Sequence, residues 1–538
     1  MTSPEPPADT EALANPLLTD RKLVRSSAGV ALGTMLSRVT GLARVSAIAY
    51  ALGGGVLADT YNVANNTPNI VFELILGGVL TATLVPLFVE AYERDDDDAA
   101  SAIFGTAMTV LIVLTVIAIL GAPLIARLFT FRNAHGADRI AAQHIATDLI
   151  RLFIPQMVFY GLTALLSAML NARRRFLAAA YAPVLNNVVA ITLFLLLPHV
   201  VTGGGISLDH VARSGPLVLL LGLGTTAGIV LMGVVLLPAV RAAGIRLRFV
   251  VSWRHPAVRA ALRLSGWTVG YVIANQIALT FVLIIATSQK GAVSAYTYAY
   301  AFFQLPHGLF AVSIMTTLGP ELASLARRGD TDGLRSRFSL GLRSLIIVVT
   351  PAAVGYIVLS RQVVVGLIQH GLFGHASALL TADALRGFAV GLVPFSVYLY
   401  AMRGFYALRD TRTPFLINCL ENALNVLFAA VLYPHFGIRG LAYGFSAAYA
   451  VASVVAIVVL RNRLGGIDGR RALNTAGKAT VAAVALAVAS AAVAHVIDSP
   501  IVAVIVAGIA GAVVYLAVLQ GLGSDEIRAT IAAMRRSR

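Results

Sequence analysis

Charge is what this chain has least of. Asp, Glu, Lys and Arg make up 12% of its 538 residues, against 58% apolar residues, and soluble domains carry roughly twice that charged fraction. So little polar surface cannot enclose so much apolar side chain. Lipid must cover much of it, which excludes a large soluble domain. Cysteine is nearly missing as well. The single Cys419, set in an apolar run, excludes a disulfide scaffold and a cysteine-built metal centre within one chain. Soluble catalytic signatures are absent: GxxxxGK[ST], HExxH and GxSxG do not occur, so an enzyme is not expected. Residues 1–26 begin with a polar stretch that has no early apolar core, and they read as a short disordered cytoplasmic tail rather than a signal peptide.

Long apolar runs, by contrast, are plentiful. One bilayer crossing takes about 20 mostly apolar residues, and helical runs of that kind recur about fourteen times. The first covers 27–52, the second 58–90, the eighth 292–324, the eleventh 414–434, and the last two 474–497 and 500–521. The expected fold is all-α and polytopic. The formal charge of +16 would suggest nucleic acid to a soluble protein, but here it sits in loops, and no nucleic acid is expected. With the N-terminus in the cytoplasm, 28 of the 41 Lys and Arg fall in cytoplasmic segments and 7 in outside loops. The positive-inside rule then puts both termini in the cytoplasm.

An internal repeat is visible. Pro68 in NNTPNIVFEL corresponds to Pro306 in FQLPHGLFAV, and Pro155 to Pro394. APVLNNVV corresponds to TPFLINCL, which pairs Pro183 with Pro414 and Asn187 with Asn418. Each unit holds six spans, and an even number keeps the units parallel. The expected organisation is a tail (1–26), an N-terminal lobe (27–243), a C-terminal lobe (244–461), and two extra helices with a basic cytoplasmic tail (462–538). Two parallel lobes around a central cavity make a transporter architecture.

Polar groups inside hydrocarbon are costly, so each needs a partner or a function. Arg38 and Arg44 lie within the first span, about 120° apart around the helix. They line a wide cavity, or one pairs with an acid or reaches an interface. In the second span Asp59, Asn62, Asn66, Asn69 and Glu73 fall within an arc of about 80°. Such a stripe suits a substrate or hydrogen bonds between helices. Pro68, in its middle, removes a backbone donor and with Gly77 and Gly78 makes a candidate hinge. In the eleventh span Asn418, Glu421, Asn422 and Asn425 cluster within about 100°. A Glu beside three Asn either serves Na⁺ or a proton, or pairs with Arg343 or Arg386. Tyr296, Tyr300 and Gln304 share one face of the eighth span, for a sugar or for packing. The acidic run Glu93–Asp98 reads as solvated loop charge rather than the metal cluster of a prenyl-phosphate enzyme.

The strings SRVTGLARVSAIAYALG and ADTYNVANNTPNIVFELILGGVLTATLVPLF resemble the opening of the MurJ/MviN family of lipid II flippases, in an actinobacterial style. LNARRRFLAAAYAPVLNNVV, AVSIMTTLGPELASLARRGD and RGFYALRDTRTP carry the resemblance onward, so that it covers most of the chain. The family lies in the superfamily of multidrug exporters and polysaccharide flippases, with two six-helix lobes plus two extra helices. The resemblance implies movement of lipid II, or a related polyprenyl-diphosphate-linked glycan, from the inner to the outer leaflet of the bacterial cytoplasmic membrane by alternating access. It implies membrane lipids and the cell-wall synthesis machinery as partners. It implies no cofactor, the drive being a Na⁺ or H⁺ gradient or the membrane potential.

Arg38 and Arg44 match the two family arginines of the first span, Asp59 the family acid opening the second, and Pro68–Asn69 its PN. Arginines in a low-dielectric cavity hold a diphosphate by charge-assisted hydrogen bonds. The chain departs from the family at Phe72 and Ala301, where many members carry basic residues, and at Gly77–Leu80, where many carry an acidic segment. These departures keep two other readings in view: a paralogue for another lipid-linked or amphiphilic cargo, and a transport-inactive scaffold.

Overall fold

The computed structural model describes residues 16–73, 78–130, 136–201, 206–256, 258–259 and 266–524, and no strand occurs among them. The first half comprises α1 (Pro16–Leu52), α2 (Val56–Phe72), α3 (Gly78–Glu93), α4 (Asp97–Thr130), α5 (Gly136–Phe153), α6 (Gln156–Ala172), α7 (Phe176–Val200), α8 (Leu208–Arg213), α9 (Gly215–Val234) and α10 (Leu236–Ala242). The second comprises α11 (Gly266–Ala286), α12 (Ala292–Pro306), α13 (Val312–Arg327), α14 (Thr331–Ile368), α15 (His375–Val390), α16 (Leu392–Ala407), α17 (Arg412–Phe436) and α18 (Ile438–Leu464). The last two helices are α19 (Gly469–Val496) and α20 (Pro500–Gly521).

Among the described residues, eleven helical stretches are long and apolar enough to cross a membrane, and twelve if α15 and α16, bent by 47°, form one crossing. The two expected spans not among them are the first and second. Arg38 and Arg44 dilute the apolar character of α1. The second span is described in two pieces, α2 and α3, because residues 74–77 between them lie outside the described residues. Apolar side chains such as Leu120 and Leu124 of α4, Val488 of α19 and Ile509 of α20 point outward, as a lipid-facing surface requires.

Neighbour relations are drawn twice, in the order in which Pro and Asn recur along the chain. The helix α1 packs along α7 as α11 packs along α17. In the same way α2 lies against α5 as α12 against α15, and α7 against α9 as α17 against α18. The paired asparagines do matching work. Asn187 of α7 donates to Ser37 O (3.1 Å) and Thr40 Oγ1 (2.9 Å) of α1. Asn418 of α17 donates to Asn275 Oδ1 of α11 at 2.9 Å. Lipid is as apolar as a leucine side chain, so such bonds and close packing, rather than the hydrophobic effect, hold membrane helices together. Aromatic rings add to this. Tyr61 meets Phe153 and Phe194 edge-on at 5.6 and 5.4 Å, and Phe388 meets Phe303 and Phe445 at 5.6 and 5.2 Å. Such pairs are each worth about 0.5–1.5 kcal/mol beyond burial. The helices α19 and α20 pack on each other and on α14.

The segment joining the halves runs without helix over 245–252 and lies along α4. Arg248 N donates to Ser101 Oγ (3.3 Å) and Ser252 N to Thr106 Oγ1 (3.0 Å). Gly105 lies directly beneath Val250, where a Cβ would collide with the Val250 backbone. A Gly105→Val substitution is expected to lift this segment from α4 and destabilise the protein by about 1–3 kcal/mol. Thermal unfolding in detergent and the rate of proteolysis within 245–252 measure the effect. An unchanged melting temperature and unchanged cleavage would remove this role.

Candidate functional site

At one end of the bundle the halves meet backbone to backbone. The turn Gly53–Gly55 between α1 and α2 touches residues 371–377 at the start of α15 and residues 290–294 at the start of α12. Leu372 N donates to Tyr50 O at 2.9 Å, and Ser377 Oγ donates to Gly54 O at 3.4 Å. Glycine is required here twice over. Gly291 has φ +80° and faces Gly54 O, while Gly53 has φ +71° and faces Leu372 O. Any side chain would meet both a disfavoured dihedral and an opposing carbonyl.

Asp59 locks this seam. Its Oδ2 accepts from Gly291 N at 2.6 Å, and its Oδ1 accepts from Ser294 N at 2.8 Å and Ser294 Oγ at 2.7 Å. The two N–H groups are among those the first turn of α12 leaves without intrahelical acceptors, and the helix dipole favours an anion there. One turn further along α2, Asn62 Nδ2 donates to Ser294 Oγ (3.1 Å) and Tyr298 Oη (3.4 Å). Of the two readings of this stripe, a substrate or hydrogen bonds between helices, these two residues make hydrogen bonds between helices. Both are buried, and their polar atoms are committed to the opposite half of the chain.

Away from the seam the halves part around a cavity of about 510 Å³. Arg38 and Arg44 of α1 stand on its wall, with Asn186 and Asn187 of α7 and Ala301 and Gln304 of α12. The Arg38 guanidinium lies against Gly308, in a π-helical turn (His307–Ala311) that follows Pro306. His307 in this turn is buried, hydrogen-bonded to Ser396 at 3.0 Å and set against Phe395. Ala301 takes wall space where the family resemblance implies a third cation.

Arg44 also borders a smaller chamber of about 80 Å³, enclosed within the first half by Tyr61, Asn65, Asn66, Asn69, Tyr160 and Thr225 among others. Its buried Nε has no hydrogen-bond partner among the described residues. The polar stripe of α2 therefore divides. Asp59 and Asn62 face α12, Asn66 and Asn69 face the side chamber, and half-buried Glu73 borders neither space. The helix runs unbroken through Pro68 and keeps right-handed helical dihedrals at Glu73. Gly77 lies outside the described residues, and Gly78 opens α3.

The second half carries a buried polar cluster. Asn418, Glu421, Asn422 and Asn425 of α17 are all at most 8% exposed. Asn275 Oδ1 accepts from both Asn418 Nδ2 (2.9 Å) and Asn422 Nδ2 (2.8 Å). Both Glu421 oxygens, Asn418 Oδ1 and Asn425 Oδ1 lack a hydrogen-bond partner among the described residues. The arginines offered as partners for Glu421 turn elsewhere: Arg343 donates to Ser339 O and Arg386 to Ile357 O. Tyr271, Tyr296, Tyr300, Tyr398 and Tyr449 stand within electrostatic reach of Glu421. The tyrosine face of α12 is used for packing. Tyr296 and Tyr300 meet Phe388, and Tyr300 Oη accepts from Gln304.

Sequence reasoning missed Asn275, Gly291 and Ser294 as site residues and treated Asn187 only as a repeat marker. The adjacent asparagines Asn186–Asn187 inside an apolar run were the available signal for the last.

The family described as lipid II flippase MurJ matches residues 48–509. A probable lipid II flippase MurJ of Rhizobium meliloti (strain 1021) is 30% identical over 430 residues, 78% of this chain and 77% of that protein. A lipid II flippase MurJ of Burkholderia cenocepacia is 29% identical over 441 residues, 80% of this chain and 82% of that protein. Among solved structures, a lipid II flippase MurJ in an inward closed conformation aligns with a TM-score of 0.73 at 20% identity, covering 91% of this chain and 97% of that one. An inward-facing multidrug resistance MATE transporter of the MOP superfamily aligns with a TM-score of 0.64 at 16% identity, covering 81% and 98%. At those identities the structures speak for the fold alone. The family match takes in both sides of the Asp59 seam, the cavity walls on α7 and α12, and the buried cluster on α17, and on that ground the chain belongs to the lipid II flippase MurJ family.

Proposed function

We propose that this protein carries lipid II from the inner to the outer leaflet of the bacterial cytoplasmic membrane, with both termini in the cytoplasm. One observation carries the reading: two arginines share the wall of a cavity between halves that are sealed together at one end. The glycan–diphosphate head is too polar to cross hydrocarbon unaided. A cavity of 510 Å³ is within the ~300–1,000 Å³ range of small-ligand sites, which suits the diphosphate and adjoining sugar, with the rest of the head in the open mouth. Arg38 and Arg44 supply fork-shaped donors for the diphosphate, and the prenyl tail stays in lipid. No bond is made or broken, so the protein works as a transporter rather than an enzyme.

In this orientation the glycine seam faces outward and the cavity is reached from the cytoplasmic side. Release requires the seam to part and the cytoplasmic side to close. An Arg38→Ala, Arg44→Ala double variant is expected to abolish flipping in a leaflet-accessibility assay with labelled lipid II while folding normally. Transport at the unsubstituted rate would sink the cavity role. Asp59→Asn removes the carboxylate charge from the first turn of α12. Hydrogen bonds to charged groups are worth about 1.5–3 kcal/mol, so the open-seam population should rise roughly tenfold or more. Spin labels at Val200 of the first half, which is exposed, and Lys290 of the second report this as a longer-distance population, and an unchanged distribution would count against Asp59 as the lock.

The cluster around Glu421 supports coupling to a cation gradient. One carboxylate among amide oxygens, several of them unpartnered, suits a monovalent hard cation or a proton better than a multivalent metal. No group of three or more His, Cys, Asp or Glu that could hold a metal ion occurs among the described residues. Glu421→Gln is expected to leave lipid II binding intact and remove the response of flipping to an imposed Na⁺ or pH gradient. A retained gradient response excludes Glu421 from coupling.

Ala301 favours a second reading, in which the cavity serves another polyprenyl-diphosphate cargo needing fewer cations. Rescue of cells depleted of their lipid II flippase separates the two. Contacts with the cell-wall synthesis machinery belong to the first reading.

A further inference from the structure

The segment between the halves carries a surface that transport leaves unused. Residues 244–259 include Arg246, Arg248, Arg254 and Arg259 and no Asp or Glu. All four are exposed, and none forms an ion pair with a described residue, although the acidic residues Asp95–Asp98 lie just before and at the start of the same helix α4. Between these arginines stand apolar side chains turned outward. Phe249 is 60% exposed, Val251 44% and Trp253 55%. The backbone is held from behind, through Ser101, Thr106 and the Gly105 contact, and Ile245 is turned inward and buried. The segment thus offers a fixed strip in which arginines alternate with large apolar groups.

We propose that residues 246–254 dock on anionic phospholipid head groups, the arginines meeting the phosphates and Phe249, Val251 and Trp253 entering the interface between head groups and acyl chains. Each component matches that environment. Trp is enriched at the head-group level of membrane proteins. Basic residues close to an anionic leaflet gain from its surface potential. Apolar side chains set among cations distinguish a peripheral membrane contact from a purely polar protein interface. The segment also hangs between α10 and α11, two helices of the membrane bundle, which keeps it within reach of the bilayer surface. The proposal uses the cytoplasmic orientation given above but not the identity of the cargo. Docking would give the one covalent link between the two halves a fixed footing at the leaflet while the halves move.

The chain has two tryptophans, so Trp267→Phe leaves Trp253 as the sole reporter in the full-length protein. The measurement is quenching of Trp253 in nanodiscs containing acyl-brominated phosphatidylglycerol or acyl-brominated phosphatidylcholine at equal mole fraction. Both leaflets are accessible there, so the result is independent of orientation and of transport. Quenching about twofold stronger with the brominated anionic lipid is expected, falling to parity at high salt because surface attraction is screened. An Arg246→Gln, Arg248→Gln, Arg254→Gln variant should reach parity at low salt. Equal quenching by both lipids at low salt overturns the proposal, as does a preference that survives the triple variant. Absence of quenching by either lipid also overturns it, and would point to solvent or an acidic protein partner. The salt arm needs no substitution among the arginines, so it stands even if the triple variant folds poorly.

Discussion

A single carboxylate aligns the two halves. Asp59 reaches across from α2 to satisfy donors that the first turn of α12 cannot satisfy within its own helix. In hydrocarbon an unsatisfied N–H costs several kcal/mol, and here the partner is an anion placed at the positive end of a helix dipole. Neither half can rotate at this end without exposing both the carboxylate and the donors. The cavity therefore opens where this constraint is absent, and its arginines face a space whose far end is already shut.

The remaining polar groups hold each half internally or wait for a ligand. Asn187 pins α1 at Ser37 and Thr40, the turn that carries Arg38, so it helps set the direction from which Arg38 approaches the cavity. Asn418 and Asn422 pin α11 through Asn275. Arg38 rests on a glycine face where α12 briefly widens to π-helical geometry, a local change often found at functional sites. Arg44 borders both the main cavity and the side chamber. Occupation of one space therefore alters the electrostatics of the other.

Much of this was legible in the sequence because hydrocarbon penalises charge so heavily. Arg38 and Arg44 stood out inside an apolar run, and the structure puts both on the cavity wall. The cluster at Glu421 was likewise marked by its polarity, although its supposed arginine partners face other groups. What could not be read was partnership across distance. Asp59 and its donor Gly291, at the start of α12, are separated by 232 residues in sequence. A polar stripe facing a helix terminus looks the same, in one dimension, as a stripe facing a substrate. Asn187 and Asn418, which the repeat pairs, each donate to a neighbouring helix of their own half, α1 and α11 respectively.

The glycine seam separates two kinds of change. Its closure is made largely of main chain against main chain, at Gly53, Gly54 and Gly291, so side-chain substitution has little to adjust there and most changes would jam it. The cavity wall is built from side chains, and positions such as Ala301 can be exchanged without disturbing the distant seam. On the function proposed above, a lineage could then alter what it carries while keeping the same seam, and the part most able to diverge is the cavity wall.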